Sequence, residues 1–150
     1  MVVSEEEVIK AKKLILEVKE ELKAEKTAFD DKIPIGVVIE TPAAAIISDK
    51  IAPLCDFFLI DADSLAQFTL AMDRKNIALS DLFDRHHTAV TELIRRAAEN
   101  GRKNGVAVEL TGEITADSDK IPLLLEMGIS AFALSPRRLC AIQKAISEGS

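Results

Sequence analysis

Apolar positions in this chain recur first at helical spacing and then gather into short blocks. Val8, Ala11, Ile15, Val18 and Leu22 lie three or four residues apart within a Lys/Glu-rich stretch, a period that puts them on one helix face. Ser4 and Glu7 have the spacing of a capping box, in which each residue satisfies a free backbone donor of the first turn. A helix over about residues 5–28 is therefore predicted. Ile33 to Ile39 is β-branched and apolar without alternation, the pattern of a strand buried on both faces of a parallel sheet. Thr41 and Pro42 supply an N-cap and a first-turn proline, and the Ala-rich run to Leu54 reads as the next helix.

The unit then repeats. Phe57 to Ile60 is a second strand, followed by the acidic loop Asp61-Ala62-Asp63-Ser64 and a helix over Leu65 to Met72. A loop from Asp73 to Ser80 leads to a helix through Leu93, Ile94 and Ala97, closed by Gly101 and Gly105. Val106 to Leu110 forms a third strand, Lys120 to Met127 a helix ended by Gly128, and Ala131 to Leu134 a fourth strand. Pro136 opens a terminal helix to about Ser147. Met1-Val2-Val3 reads as the stub of an earlier strand. Strands alternating with helices imply an α/β fold with parallel strands. No GxGxxG or GxxxxGK turn follows the first clear strand, which disfavours a nucleotide-binding sheet. The expected fold is half of a (β/α)8 TIM-type barrel: about four β/α units plus an N-terminal helix, in one partial-barrel domain over residues 1–150.

Composition narrows the partners. The net charge of −6 opposes phosphate backbones and anionic lipid, and the absence of Trp and Tyr removes the usual stacking platforms. Nucleic acid and membranes are not expected partners, and no apolar run reaches the length of a signal or membrane segment. A soluble cytoplasmic protein follows. Cys55 and Cys140 form no CxxC pair and are read as buried thiols.

Every predicted strand ends in polar residues, on the side where barrel sites form. Glu40 follows the first strand, Asp61, Asp63 and Ser64 the second, Thr111 and Glu113 the third, and Ser135 the fourth. Such a ring suits a hard cation, although loops are polar in any case. Arg74, beside the acidic loop, serves either a structural salt bridge or a phosphate. His86 and His87 precede a helix with no acid or Ser at relay spacing, which points to surface or capping roles.

The ordered segments IETPAAA, DFFLI, QFTLAMDRKN and ELTGE resemble phosphotransferase-system enzyme I and its relatives among the phosphoenolpyruvate-utilising enzymes. The resemblance covers nearly the whole chain. It implies the second half of a barrel that binds phosphoenolpyruvate and Mg²⁺ and passes the phosphoryl group to a histidine on a separate domain, in cytoplasmic sugar uptake. Position by position, Glu40 matches a metal-binding glutamate and Arg74 an arginine that contacts phosphate. Asn76, Gly112, Glu113 and Asp117 also match.

Departures accompany these matches. Where the family has Gly-Thr-Asn-Asp, this chain has Asp61-Ala62-Asp63-Ser64, so Asp63 replaces an asparagine at the phosphate and Ser64 replaces a metal-binding aspartate. Asp61 is a substitute ligand. Thr111 stands at the family's proton-donating cysteine, and an alkanol is far too weak an acid for that step near neutral pH. The implied substrate-binding set is Asp63, Arg74, Asn76 and Gly112, the metal set Glu40, Asp61 and Ser64, and the catalytic position Thr111, inactive as it stands. The alternative is a binding or structural half-barrel without activity that self-assembles. Four strands leave two unpaired sheet edges, so a homodimer or pairing with a complementary barrel half is expected.

Overall fold

The computed structural model describes residues 1–148. Helix α1 (Glu5–Ala24) begins with the capping box: Ser4 Oγ accepts from Glu7 N, and Glu7 Oε2 accepts from Ser4 N. It ends before residue 28, with Lys26 in the left-handed region at φ 58°. Strands β1 (Gly36–Ile39), β2 (Phe57–Asp61), β3 (Ala107–Thr111) and β4 (Ala131–Ala133) form one parallel sheet in the order β1-β2-β3-β4. That sequential order, with helices in the crossovers, is the arrangement of a (β/α)8 barrel sector. The fold is the α/β parallel half-barrel expected from the sequence.

The helices crossing from strand to strand are α2 (Pro42–Ile46) and α3 (Ser48–Ile51) after β1, then α4 (Ala62–Leu70) and α5 (Thr88–Lys103) after β2. Helix α6 (Ile121–Glu126) follows β3 and α7 (Leu139–Glu148) follows β4. The Ala-rich run is thus broken into α2, α3 and a 3-10 turn (Ala52–Leu54). Pro53 in that turn cannot continue the helical hydrogen bonding. Within the described residues no helix is long and apolar enough to cross a membrane.

Burial alternates along the strands, which corrects the expectation of strands buried on both faces. Val37 and Ile39, Phe58 and Ile60, and Val108 and Leu110 are buried against Leu65, Val90, Ile94 and Ala97 of the helical layer. The other face is open. Val38 is 40% exposed there, level in register with Leu59, Glu109 and Ala131. Below that row lie Gly36, Phe57 and Ala107, and above it Asp61, Thr111 and Ala133. A strand without polar alternation is what a barrel needs, because its second face is the barrel interior. Here that interior face is uncovered.

Several local readings change. Ile35 is not in the β1 ladder: its N–H donates to Asp56 Oδ2 at 2.6 Å and its carbonyl accepts from Asp56 N at 2.9 Å, just after a proline that has no donor to give. Met1 to Val3 form no strand. Their backbone is tied instead by Thr41 Oγ1 donating to Val2 O at 3.0 Å and Val3 N donating to Glu7 Oε2 at 2.7 Å. The acidic segment is not a loop, since Asp61 ends β2 and residues 62–64 already form the first turn of α4. Cys55 is half-buried, and burial pushes its thiol up to about 11. Cys140 is exposed rather than buried. It lies two residues from buried Ile142 on α7, about 200° round the helix from the packed face.

Gly101 is inside α5 rather than at its end. A Cβ there would lie 2.5 Å from Val108 Cγ2 and 3.3 Å from the Phe58 ring, so the missing side chain sets how closely α5 rests on β2 and β3. Gly101→Ala gains about 0.5–1 kcal/mol of helix propensity but overpacks the core at a cost of about 1–3 kcal/mol. A net loss of roughly 1–2 kcal/mol in urea unfolding is expected.

Candidate ligand site at the strand ends

Parallel strands in sequential order bring their carboxyl ends to one rim, and most of the polar residues singled out in the sequence gather on it. Asp61 caps α4, with Oδ1 accepting from Ser64 N at 3.1 Å and Oδ2 from Ser64 Oγ at 2.6 Å. Both carboxylate oxygens are therefore engaged by Ser64, which acts as a partner of Asp61. Glu40 lies one residue beyond the Ile39–Ile60 register pair, at the strand end next to Asp61. Its Oε1 is 3.5 Å from the Met1 amino nitrogen.

Asp63 is the second residue of α4, and its side chain crosses to the loop after β3. Its Oδ1 and Oδ2 each accept from Glu113 N at 3.2 Å. Two guanidinium groups flank the same carboxylate: Arg74 Nη1 is 3.7 Å from Oδ2, and Arg85 Nε is 3.6 Å from Oδ1. Arg85 Nη2 also pairs with Glu113 Oε2 at 3.2 Å, and its guanidinium stands 5.5 Å from the centre of the Phe83 ring. The close approach depends on Gly112, at φ +115°, where a Cβ would meet Asp63 N at 3.1 Å and Asp63 Cγ at 3.2 Å.

Beside this cluster an open cavity of about 650 Å³ is lined by Asp63, Thr111, Gly112, Glu113, Ser135 and Arg138, among others. Arg138, in the turn between β4 and α7, makes no ion pair among the described residues. Asp63, Thr111 and Gly112 of the sequence-derived set line the cavity, whereas Arg74 reaches it only through Asp63. Asn76 is spent locally, its Oδ1 accepting from Ala78 N at 3.0 Å to cap the turn Ile77–Leu79. His87 Nδ1 caps α5 by accepting from Ala89 N at 3.2 Å, and His86 Nε2 lies 3.8 Å from Asp117 Oδ2. Arg85 and Arg138 were not singled out from the sequence. Neither belongs to a spaced motif, and Arg85 lies 22 positions beyond Asp63.

Among the described residues no group of three or more His, Cys, Asp or Glu is placed to hold a metal ion. Glu40 and Asp61 are the two carboxylates at adjacent strand ends. Two are enough for Mg²⁺, which keeps several waters and ligand oxygens in its shell.

The chain matches the family model described as the PEP-utilising enzyme, PEP-binding domain, over residues 1–150. It belongs to that family. The phosphoenolpyruvate-protein phosphotransferase of Streptococcus equinus is 38% identical over 125 residues, covering 83% of this chain and 22% of the relative. The enzymes of that name from Haemophilus influenzae and Bacillus subtilis are 36% and 34% identical, covering 97% and 99% of this chain but 25% and 26% of their own lengths. The chain thus spans about a quarter of these relatives. Among solved structures, RipC from Yersinia pestis superposes with a TM-score of 0.55 at 14% identity, over 87% of this chain and 57% of that one. An HpcH/HpaI aldolase from Desulfitobacterium hafniense gives 0.52 at 19% identity, over 79% and 42%. At those identities the two structures speak for the fold alone.

For this PEP-binding-domain chain, Gly112 offers the cleanest local test. Gly112→Ala places a side chain in a backbone region that costs about 1–3 kcal/mol and presses it against Asp63. Chemical denaturation should show a loss of at least about 1 kcal/mol; an unchanged midpoint would mean that the loop does not depend on this glycine.

Proposed function

We propose that this chain is the second half of a phosphoenolpyruvate-binding barrel and that the rim at the ends of β2, β3 and β4 is its ligand site. The observation that carries this reading is the cavity in which Asp63, Thr111, Gly112, Ser135 and Arg138 converge, in a chain that matches the PEP-binding domain along its whole length. Arg138 supplies a guanidinium to a small anion such as phosphoenolpyruvate, while the Thr111 and Ser135 hydroxyls and the Gly112 backbone offer further hydrogen bonds. Mg²⁺ belongs to this reading, with Glu40 and Asp61 as its protein oxygens; bound there, it would neutralise charge on the ligand's oxygens. Ser64 supports that site by holding Asp61.

The role is binding rather than independent phosphotransfer. Thr111 offers an alcohol where proton delivery to an enolpyruvate carbon calls for a far stronger acid. The setting this reading implies is the cytoplasmic phosphorylation system for sugar uptake, with a complementary barrel half as the immediate partner. In melting experiments, phosphoenolpyruvate with Mg²⁺ should stabilise the protein. Arg138→Ala should weaken that effect by about tenfold in apparent Kd, the usual worth of one charge-assisted hydrogen bond. Equal shifts in the two proteins would remove Arg138 from the site, and no shift in either would sink the reading.

A second reading, self-assembly without a ligand, rests on the uncovered sheet face, where Val38 is exposed and Phe57 and Leu59 are only half-buried. A second copy set against this face would bury those side chains and cover the strand edges. Sedimentation at low micromolar concentration should show a dimer or larger assembly that Val38→Lys weakens. A native protein sedimenting as a monomer, with a cooperative melt, argues against it.

A further inference from the structure

The uncovered sheet face carries one carboxylate in its middle, that of Glu109, and its position decides what kind of surface can cover it. Resting on the barrel-half reading proposed above, we infer that this face docks a different protein surface, apolar and bearing a lysine or arginine that meets Glu109. A second copy of the chain is the occupant that Glu109 excludes.

Three observations support this. Glu109 lies on β3, an inner strand paired with β2 on one side and β4 on the other, level with Leu59 and Ala131. It is therefore not a charge on a sheet edge, where it would block strand addition. Its surroundings are apolar: Val38, Leu59 and Ala131 share its row, and Gly36, Phe57 and Ala107 lie in the row below. A sheet face that stays in water carries polar side chains across its width, whereas these positions hold no polar side chain but that of Glu109. Among the described residues the Glu109 carboxylate makes no ion pair and no hydrogen bond. The carboxylates above it on the rim are already engaged, Asp61 by Ser64 and Glu40 by the Met1 amino group.

Charge then selects the occupant. Covering these rows takes Glu109 out of water, which is costly for an unpaired carboxylate and tolerated when a cation lies within hydrogen-bonding reach. The four strands, GVVI, FFLID, AVELT and AFA, contain no lysine or arginine. A second copy laid face to face about a two-fold axis would thus offer Glu109 apolar side chains and another Glu109. Like charges brought together in an interface suppress that pairing. A surface of different sequence can place a cation there, and the pair then fixes both partner and register.

Sedimentation equilibrium at low micromolar concentration tests this with forms of the chain itself as probes: native protein, Glu109→Gln, Glu109→Lys, and native protein mixed with Glu109→Lys. In the mixture the Glu109→Lys chain stands in for the cationic partner. The mixed dimer should be at least about tenfold tighter than native self-association, and Glu109→Gln should self-associate at least about tenfold more tightly than native protein. Adding Val38→Lys to Glu109→Gln should remove its gain, which places the contact on this face. Glu92→Lys makes the same charge change on the exposed side of α5 and should give no gain when mixed with native protein. Native self-association as tight as that of Glu109→Gln overturns the inference, as does a mixture no tighter than native protein alone. A gain that survives Val38→Lys, or that Glu92→Lys reproduces, overturns it as well. Should Glu109→Lys not fold, Glu109→Arg takes its place; failure of both also overturns the inference, since Glu109 would then serve the chain's own fold. The two readings separate cleanly. Phosphoenolpyruvate binding without the charge-swap gain sinks only the docking surface, and the gain without any phosphoenolpyruvate binding sinks only the proposed ligand site.

Discussion

The constraint on which everything else rests is the parallel, sequential pairing of the four strands. Parallel strands need crossovers, and right-handed crossovers place every helix on the same face of the sheet. Two consequences follow from this single fact. All strand ends meet on one rim, so residues as distant in sequence as Asp63, Thr111 and Arg138 come to line one cavity. The face opposite the helices has no cover among the described residues, so Val38, Phe57 and Leu59 stand where a complete barrel would pack them.

How much could be read from the sequence follows from the same geometry. Strand blocks and their order were legible because apolar runs survive whatever covers the second face. What the runs could not convey was which face is covered: Val37 and Val38 are the same residue type, one buried under helices and one exposed. Local competition was harder to foresee. Ile35 has the side chain of a strand residue, but Asp56 takes both its backbone N–H and its carbonyl. Gly101 looks like a helix stop until the Val108 methyl beneath it is seen.

The rim divides along similar lines. Residues carried by the resemblance were found by pattern, and the structure brings Asp63, Glu113 and Arg74 together. Arg85 and Arg138 were invisible because the contacts that define them are made by folding, and Arg85 sits within a loop whose composition suggests only solvation. Without Arg85, the sequence offered Arg74 as the partner of the acidic segment. With the Arg74 and Arg85 guanidinium groups both placed against it, Asp63 becomes the centre of a neutral cluster.

That neutrality bears on what the rim can do. Asp63, Ser64 and Thr111 are among the positions at which this chain departs from the pattern it resembles. Thr111 lies in register between Asp61 and Ala133 at the top of the open face, where it lines the same cavity. Asp63 joins the charged cluster to the cavity, because its carboxylate is held by Arg74, Arg85 and the Glu113 N–H and also lines the open space. Gly112 keeps the loop after β3 close to Asp63, and Arg85 Nε is buried there without a hydrogen-bond partner. The charges of the Asp63 cluster balance one another, so the guanidinium at this cavity that is left without an ion pair among the described residues is that of Arg138.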